Sequence, residues 1–130
     1  MTLSEYFEET RGTGVLATAS SSGLVDTAIY AHPHFVSEQD IAFIMADRLS
    51  HRNLQSNPHA AYLFIESGEG YKGTRLHLTM VSQETDTERI QAIRRRPLPA
   101  ECGIEGESRF LVQFHIDRVR PLVGDEPKGT

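Results

Sequence analysis

The sequence predicts a mainly β (α+β) domain, a six-stranded antiparallel split β-barrel with two or three short helices. Three observations carry that expectation: short stretches of alternating apolar and polar residues recur, strong turn signals separate them, and no long helical periods lie between them. Strands without regularly interposed helices exclude a doubly wound parallel sheet. Hairpin turns dictate antiparallel pairing, and a small closed or split barrel removes the edges such a sheet would expose.

Each element follows from local chemistry. Thr2 and Glu5 have the spacing of a capping box, and Leu3, Tyr6 and Phe7 then share one helical face. A short amphipathic helix over 3–11 follows, closed by Gly12 and Gly14. Val15, Ala17 and Ala19 alternate with Leu16, Thr18 and Ser20, a strand pattern, and Ser20 to Gly23 makes a turn. The return strand over 24–32 sets Val25, Thr27 and Ile29 against Ala28, Tyr30 and His32. The runs over 41–46 and 60–65 are continuously apolar, as expected of strands covered on both faces.

Between those runs, residues 47–58 are polar and basic, long enough for a turn and about two helical turns. Gly68-Glu69-Gly70 marks another turn. Over 74–81, Leu76, Leu78 and Met80 oppose Arg75, His77 and Thr79. Thr85 and Glu88 form a second capping box, opening a helix through Ile90 and Ile93 to Arg96, where Pro97 stops it. A loop over 97–108 leads to the last strong strand, marked by Phe110, Val112, Phe114 and Ile116. The tail over 124–130 is polar and expected to fray.

At 130 residues the chain fits a single domain, 1–130, with roughly two-thirds of its unfolded surface available for burial. It is 38% hydrophobic and 24% charged, an ordinary globular balance. No apolar run approaches the roughly 20 residues that span a bilayer, and the first residues lack the basic and apolar regions of a secretory signal. Cys102 is the one cysteine, which excludes an intramolecular disulfide and reads as an ordinary thiol in a reducing, cytoplasmic setting. The net charge of −5 speaks against nucleic acid or an anionic membrane as partner. A bound anion therefore requires a local basic pocket.

One segment offers such a pocket. A buried strand ends at Ala46, and a helix is expected with Ser50 as its N-cap. A helix start presents unpaired N–H groups and the positive end of the dipole. Arg48, His51 and Arg52 cluster at the same point. Amides, a hydroxyl and guanidinium groups converging on one spot are what a phosphate monoester requires. The same residues also read as a plain cap with solvated arginines, and the Asp47 carboxylate repels a phosphate unless it points away or pairs with Arg48.

The ordered set of features resembles the pyridoxamine 5′-phosphate oxidase-like, flavin mononucleotide (FMN)-binding split-barrel family. It comprises the opening helix, Gly14-Val15-Leu16-Ala17-Thr18, an apolar strand, Ser50-His51-Arg52-Asn53-Leu54 and Asn57-Pro58 before the next strand. It runs from about Val15 to Met80, with a final strand at Phe110 to Ile116. The resemblance implies a homodimer with FMN in a groove between its subunits. It assigns the phosphate to Arg48, Ser50 and His51, with Arg52 beside them and Asn53 supporting the turn; this segment has arginines where the family often has a lysine. It sets the isoalloxazine ring near Ala28, Ile29 and Tyr30 and near Ala46 and Asp47. Lys72 becomes a candidate for the phosphate or the pyrimidine edge, where a cation stabilises the anionic reduced ring; it also reads as a solvated lysine in a Gly-rich turn.

The remaining polar residues have plainer readings. His32 and His34 supply only two ligands, so no metal site is expected. His77 and His115 alternate with apolar neighbours, as outward or interface residues do. Arg94, Arg95 and Arg96 complement a helix C-terminus. Ser20-Ser21-Ser22 is turn chemistry, since no base stands beside it. No side chain is marked as an essential acid or base. The expected function is therefore an FMN-dependent oxidoreductase or electron-transfer protein with a small-molecule redox partner. The alternatives are a non-enzymatic flavin-binding or sensing module, or a haem- or deazaflavin-binding member of the same fold. Pyridoxamine 5′-phosphate oxidation itself is not expected, since the sequence has no extended C-terminal region like that enzyme's.

Overall fold

The Thr2–Glu5 capping box starts the fold as expected: Glu5 N–H donates to Thr2 Oγ1 at 3.2 Å, and the Glu5 carboxylate accepts from Thr2 in return. Helix α1 (Leu3–Glu9) ends sooner than the spacing predicts, because the backbone is already extended at Thr10 and strand β1 (Gly12–Ala19) begins at the glycine expected to close the helix. The computed structural model describes residues 1–85, 88, 90 and 109–124. Of the helix expected after Thr85, only Glu88 and Ile90 are described, and both are helical. The remainder of that helix with Arg94, Arg95 and Arg96, the loop over 97–108 with Cys102, and the tail beyond 124 lie outside the described residues.

The further elements are β2 (Val25–Ile29), β3 (His34–Phe35), β4 (Asp40–Ala46), α2 (Leu49–Ser56), β5 (His59–Glu66), β6 (Gly73–Glu84) and β7 (Arg109–Pro121). All strand pairs are antiparallel, in the order β2-β1-β5-β6-β7-β4-β3. The six expected strands are present. The seventh, β3, has two residues and leaves no periodic trace in the sequence. β6 and β7 are longer than their alternating cores suggest, and their register shifts between His77 and Leu78 and again between Met80 and Ser82. Such bulges bend a strand and sharpen its twist, which lets the longest pair wrap the core.

The core is largely aromatic. Phe7 of α1 packs 5.0 Å from Phe64 and 6.2 Å from Tyr62, ring centre to ring centre, and Phe43 lies 5.2 Å from Tyr62 and 6.0 Å from Phe114. His32 joins the same cluster, edge-on to Phe64 at 5.1 Å. Full burial of one such ring contributes about 1.5–3 kcal/mol, so this cluster is a principal source of stability. It also forces a close approach. A Cβ at Gly14 would stand 1.8 Å from the Tyr62 hydroxyl, which donates to the Tyr30 and Ala31 carbonyls at the end of β2.

The two apolar runs meet different fates. Every residue of 41–46 is buried: Ile41, Phe43 and Met45 face the main core, while Ala42, Ile44, Leu111 and Ile90 form a second cluster on the other side. β5 does not follow the expectation of two covered faces. Tyr62 and Phe64 are buried, but Ala61 and Leu63 are half-buried and Ile65 is exposed.

A buried-edge contact ties α1 to the sheet. Tyr6 donates to Glu66 Oε2 at 2.6 Å, and burial, that hydrogen bond and the carboxylate's charge together hold the phenol well above its ordinary pKa. An unfolded tyrosine ionises near pH 10 while the folded one keeps its proton, so above about pH 10 the unfolded state binds fewer protons. Stability is therefore whole below that point and falls as pH rises past it. Tyr6→Phe should flatten the alkaline limb of stability measured by urea denaturation; an alkaline slope equal to that of the parent would discredit this assignment.

Candidate functional site

Residues 46–56 turn the chain from a buried strand into a surface helix. Ala46 is enclosed at the end of β4, and the Arg48 N–H donates back to the Ala46 carbonyl at 2.9 Å. This tight step starts α2 at Leu49, earlier than a Ser50 cap predicts. Arg48 occupies the N-cap, with no side-chain hydrogen bond to the helix. Ser50 is therefore not the cap. It lies inside the first turn, 5% exposed, on the side that faces the sheet. The first-turn amides of Leu49, Ser50 and His51 precede any possible intrahelical partner and have no side-chain cap.

The inward face of α2 is polar as well as apolar. Leu54 enters the core, and the buried Asn53 amide donates to Thr18 Oγ1 of β1 at 3.1 Å. At the other end of the helix, the Ser21 N–H donates to Ser56 Oγ at 3.2 Å. Asn53 is thus a bolt between α2 and the first hairpin.

His51 departs from the role expected of it. Its ring is 6% exposed and stacks on Phe110 at 3.8 Å with 14° between planes. Nδ1 lies 3.4 Å from Asp47 Oδ1, and Nε2 lies 2.8 Å from Gln83 Oε1. Both ring nitrogens are engaged inside the protein, so the ring does not present a donor to a phosphate. Asp47 pairs with His51 and with Arg52, whose Nε is 3.8 Å from the same oxygen. Arg52 also donates to the Asp47 carbonyl at 3.4 Å and remains largely exposed. Beside this corner opens a cleft of about 320 Å³, lined by Asp47, His51, Arg52, Gln55, Gln83 and Phe110 among others. Gln55 and Gln83 were not singled out in the sequence, and Phe110 was read only as a strand residue. Gln55 stands four residues after His51 and so shares its helix face; nothing local marks Gln83, which arrives along β6.

The other expected residues divide. Alternation on β2 turns Ala28 inward, half-buried against the core, and leaves Ile29 exposed at 58%. Tyr30 is buried with its ring 5.6 Å from Phe43, committed to packing. Lys72 is exposed just before β6, while Gln83 near the far end of that strand meets His51. The ten steps from Gly73 to Gln83 span roughly 33 Å of extended strand, so the chain does not bring its own Lys72 to the start of α2. Elsewhere His115 pairs with Asp40 at 3.1 Å on the outer face, and no helix among the described residues is long and apolar enough to cross a membrane.

No family model and no curated protein sequence matches the chain. Its fold, however, is shared with solved structures. Group A Streptococcus HupZ matches with a TM-score of 0.74 at 14% identity, over 99% of this chain and 100% of that one. An FMN-binding protein from Syntrophomonas wolfei matches with a TM-score of 0.69 at 12% identity, over 92% of this chain and 83% of that one. An F420 reductase gives 0.63 at 17% identity, over 88% and 94%. Members of the pyridoxinephosphate oxidase family are also among the matches. The sheet is thus the split barrel of the pyridoxamine 5′-phosphate oxidase-like proteins, the fold that the sequence pattern resembles.

The Asn53–Thr18 bolt is open to direct test. Asn53→Ala leaves the Thr18 hydroxyl buried without its donor and should cost about 1–3 kcal/mol of stability in urea unfolding. A loss below a few tenths of a kcal/mol would mean that the bond does not hold α2 in place.

Proposed function

We propose that this protein binds FMN, with the phosphate at the start of α2, and serves as an oxidoreductase or electron-transfer protein. The observation that carries the reading is the uncapped first turn of α2 between Arg48 and Arg52, at the point where a fully buried strand ends. Three converging amides, the helix dipole and two guanidinium groups suit a dianion. Asp47, already engaged by His51 and Arg52, counts less against that dianion than a bare carboxylate would. The split barrel shared with an FMN-binding protein supports the same choice of ligand.

In this reading Arg48 and Arg52 bind, the amides of Leu49, Ser50 and His51 orient the phosphate, and Asn53 fixes the helix. The ring then lies along Ala46 and Asp47 and toward β2, where exposed Ile29 offers an apolar side chain and Ala28 and Tyr30 contribute backbone. The bound flavin would supply the hydride or electron chemistry; the chain's own part is to hold the ring, exclude water from one face and leave the other open.

A homodimer completes the site. On the outer face, Ile29, Val15 and Leu63 stand in one cross-strand row, with Ala17 and Ala61 in the next and exposed Ile65 and Val25 beside them. The continuous apolar run of β5 is accounted for if a second copy covers this face. Lys72 reaches an FMN phosphate or ring edge only across such a subunit boundary. A second reading keeps the pocket and exchanges the ring for a deazaflavin, favoured by the likeness to an F420 reductase.

The purified protein should be yellow and release FMN on denaturation; a colourless protein that ignores FMN in a fluorescence titration sinks the reading, and a deazaflavin spectrum selects the second. Replacing Arg48 and Arg52 together by Ala should weaken FMN about tenfold or more while changing riboflavin affinity little. Equal weakening of both ligands would remove the phosphate from this corner. Leu63→Glu should turn a dimer into monomers in sedimentation and weaken FMN about tenfold. A wild-type protein that sediments as a monomer at micromolar concentration overturns the subunit-interface site.

A further inference from the structure

We infer that Gln83 is a positioning residue for the phosphate corner: with Gln55 it forms a reciprocal amide clasp that holds His51 and fixes the bearing of the first turn of α2. The inference rests on the phosphate site proposed above and names what, outside that site, sets its geometry.

An irregularity in β6 delivers Gln83 to this place. Leu76, Leu78 and Met80 face the core, so unbroken alternation would send Gln83 outward with Arg75, His77 and Thr79. Met80 is paired with Phe114, however, and Ser82 with Gln113, which makes Val81 an extra residue in the ladder, 54% exposed. That bulge reverses the alternation. Gln83 therefore pairs with the buried Val112 and meets His51 on the inner side.

The orientation of the clasp follows from one fixed acceptor. A backbone carbonyl only accepts, so the Gln55 atom 2.9 Å from the His51 carbonyl is Nε2. Gln55 Oε1 then accepts from Gln83 Nε2 at 2.6 Å, and Gln55 Nε2 donates in return to Gln83 Oε1 at 3.1 Å. Two antiparallel amide bonds thus close a ring between α2 and β6. The imidazole lies across it, with Nε2 2.8 Å from Gln83 Oε1 and 3.2 Å from Gln55 Nε2. Both Gln55 amide hydrogens already go to carbonyl oxygens, so the 3.2 Å approach is a packing contact of the clasp. Phe110 holds a face of the same ring at 3.8 Å.

Bearing matters because α2 has only eight residues, too few to be stable or rigid alone. Asn53 and Ser56 tether its second turn to the first hairpin, at Thr18 and Ser21. In the first turn, His51 is tied to β6 by the clasp and to β7 by Phe110. Its own N–H is one of the three amides offered to the phosphate. With the clasp open, the first turn swings about the hairpin tethers, and amides and guanidinium groups lose their common aim.

The test uses the full protein. Gln55 and Gln83 are both exposed along the cleft, so replacing them leaves the core intact. Gln83→Leu should weaken FMN about three- to tenfold and riboflavin less than about twofold, since only the phosphate grip depends on the first turn. Gln55→Ala should do the same, and the double variant should lose no more than the weaker single, because either change opens the same ring. Unchanged FMN affinity in Gln83→Leu, equal loss of both ligands, or losses that add in the double variant overturn the role given to Gln83. Hydrogen exchange reads the clasp without ligand. The Arg52 N–H, bonded to the Arg48 carbonyl at 3.0 Å, should exchange about tenfold faster in Gln83→Leu, and an unchanged rate overturns the clasp. If the wild-type protein binds no FMN, the function proposed above fails, and the exchange rates alone decide whether Gln83 holds α2.

Discussion

Burial of β4 on both faces is the constraint from which the rest of the architecture follows. A strand enclosed by the aromatic core on one side and by Ile90 and Leu111 on the other has no room to bend within the sheet. The chain can change direction only where β4 stops, and it does so within two residues, Asp47 and Arg48, before α2 begins. That abruptness leaves the first turn of α2 without a capping side chain and swings Ser50 and Asn53 inward. The corner's chemistry is thus a by-product of a packing requirement: the amides are available because the turn is too short to satisfy them.

The sequence made the fold class and the secondary elements legible because they depend on period and on turn residues. The Thr2–Glu5 box, the alternation around Leu76 and Leu78, and the enclosed run over 41–46 all carry their meaning locally. What depends on distant strands was less visible. A cap rule places Ser50 at the helix start, but the rule knows nothing of the Ala46 carbonyl that pulls the turn in earlier. The basic cluster over 48–52 was visible as a cluster, while the direction of the His51 ring was fixed by Gln83 and Phe110, each more than 30 residues away in the chain. Lys72 became a candidate through the family resemblance alone, and nothing local in the sequence tells that it stands at the opposite end of β6 from Gln83.

The contrast between the two apolar runs has a physical lesson. β4 and β5 look alike as sequences, yet one finds its second cover within the chain and the other does not find one among the described residues. A strand whose outer residues are Ala61, Leu63 and Ile65 gains little from facing water, and each side chain left there forgoes the transfer free energy that its inner neighbours collect. The face fits a like surface better than it fits solvent. It also lies on strands whose other face forms the core, so any association there would be felt by the packing that positions α2 through Thr18 and Asn53.

The Tyr62 hydroxyl beneath Gly14 bears on how the strands find their alignment. Only a residue without a side chain lets that hydroxyl pass to the carbonyls beyond it. A slip of β1 by one position would bring Thr13 or Val15 over the phenol, where a methyl or hydroxyl branch has no space, and would also send Leu16 to the outside. The contact therefore acts as a tooth in a lock: it admits one alignment of β1 on β5 and rejects its nearest competitors. Since that alignment determines that Val15 and Ala17 point outward, a single missing Cβ selects which surface the folded chain is able to offer to another molecule.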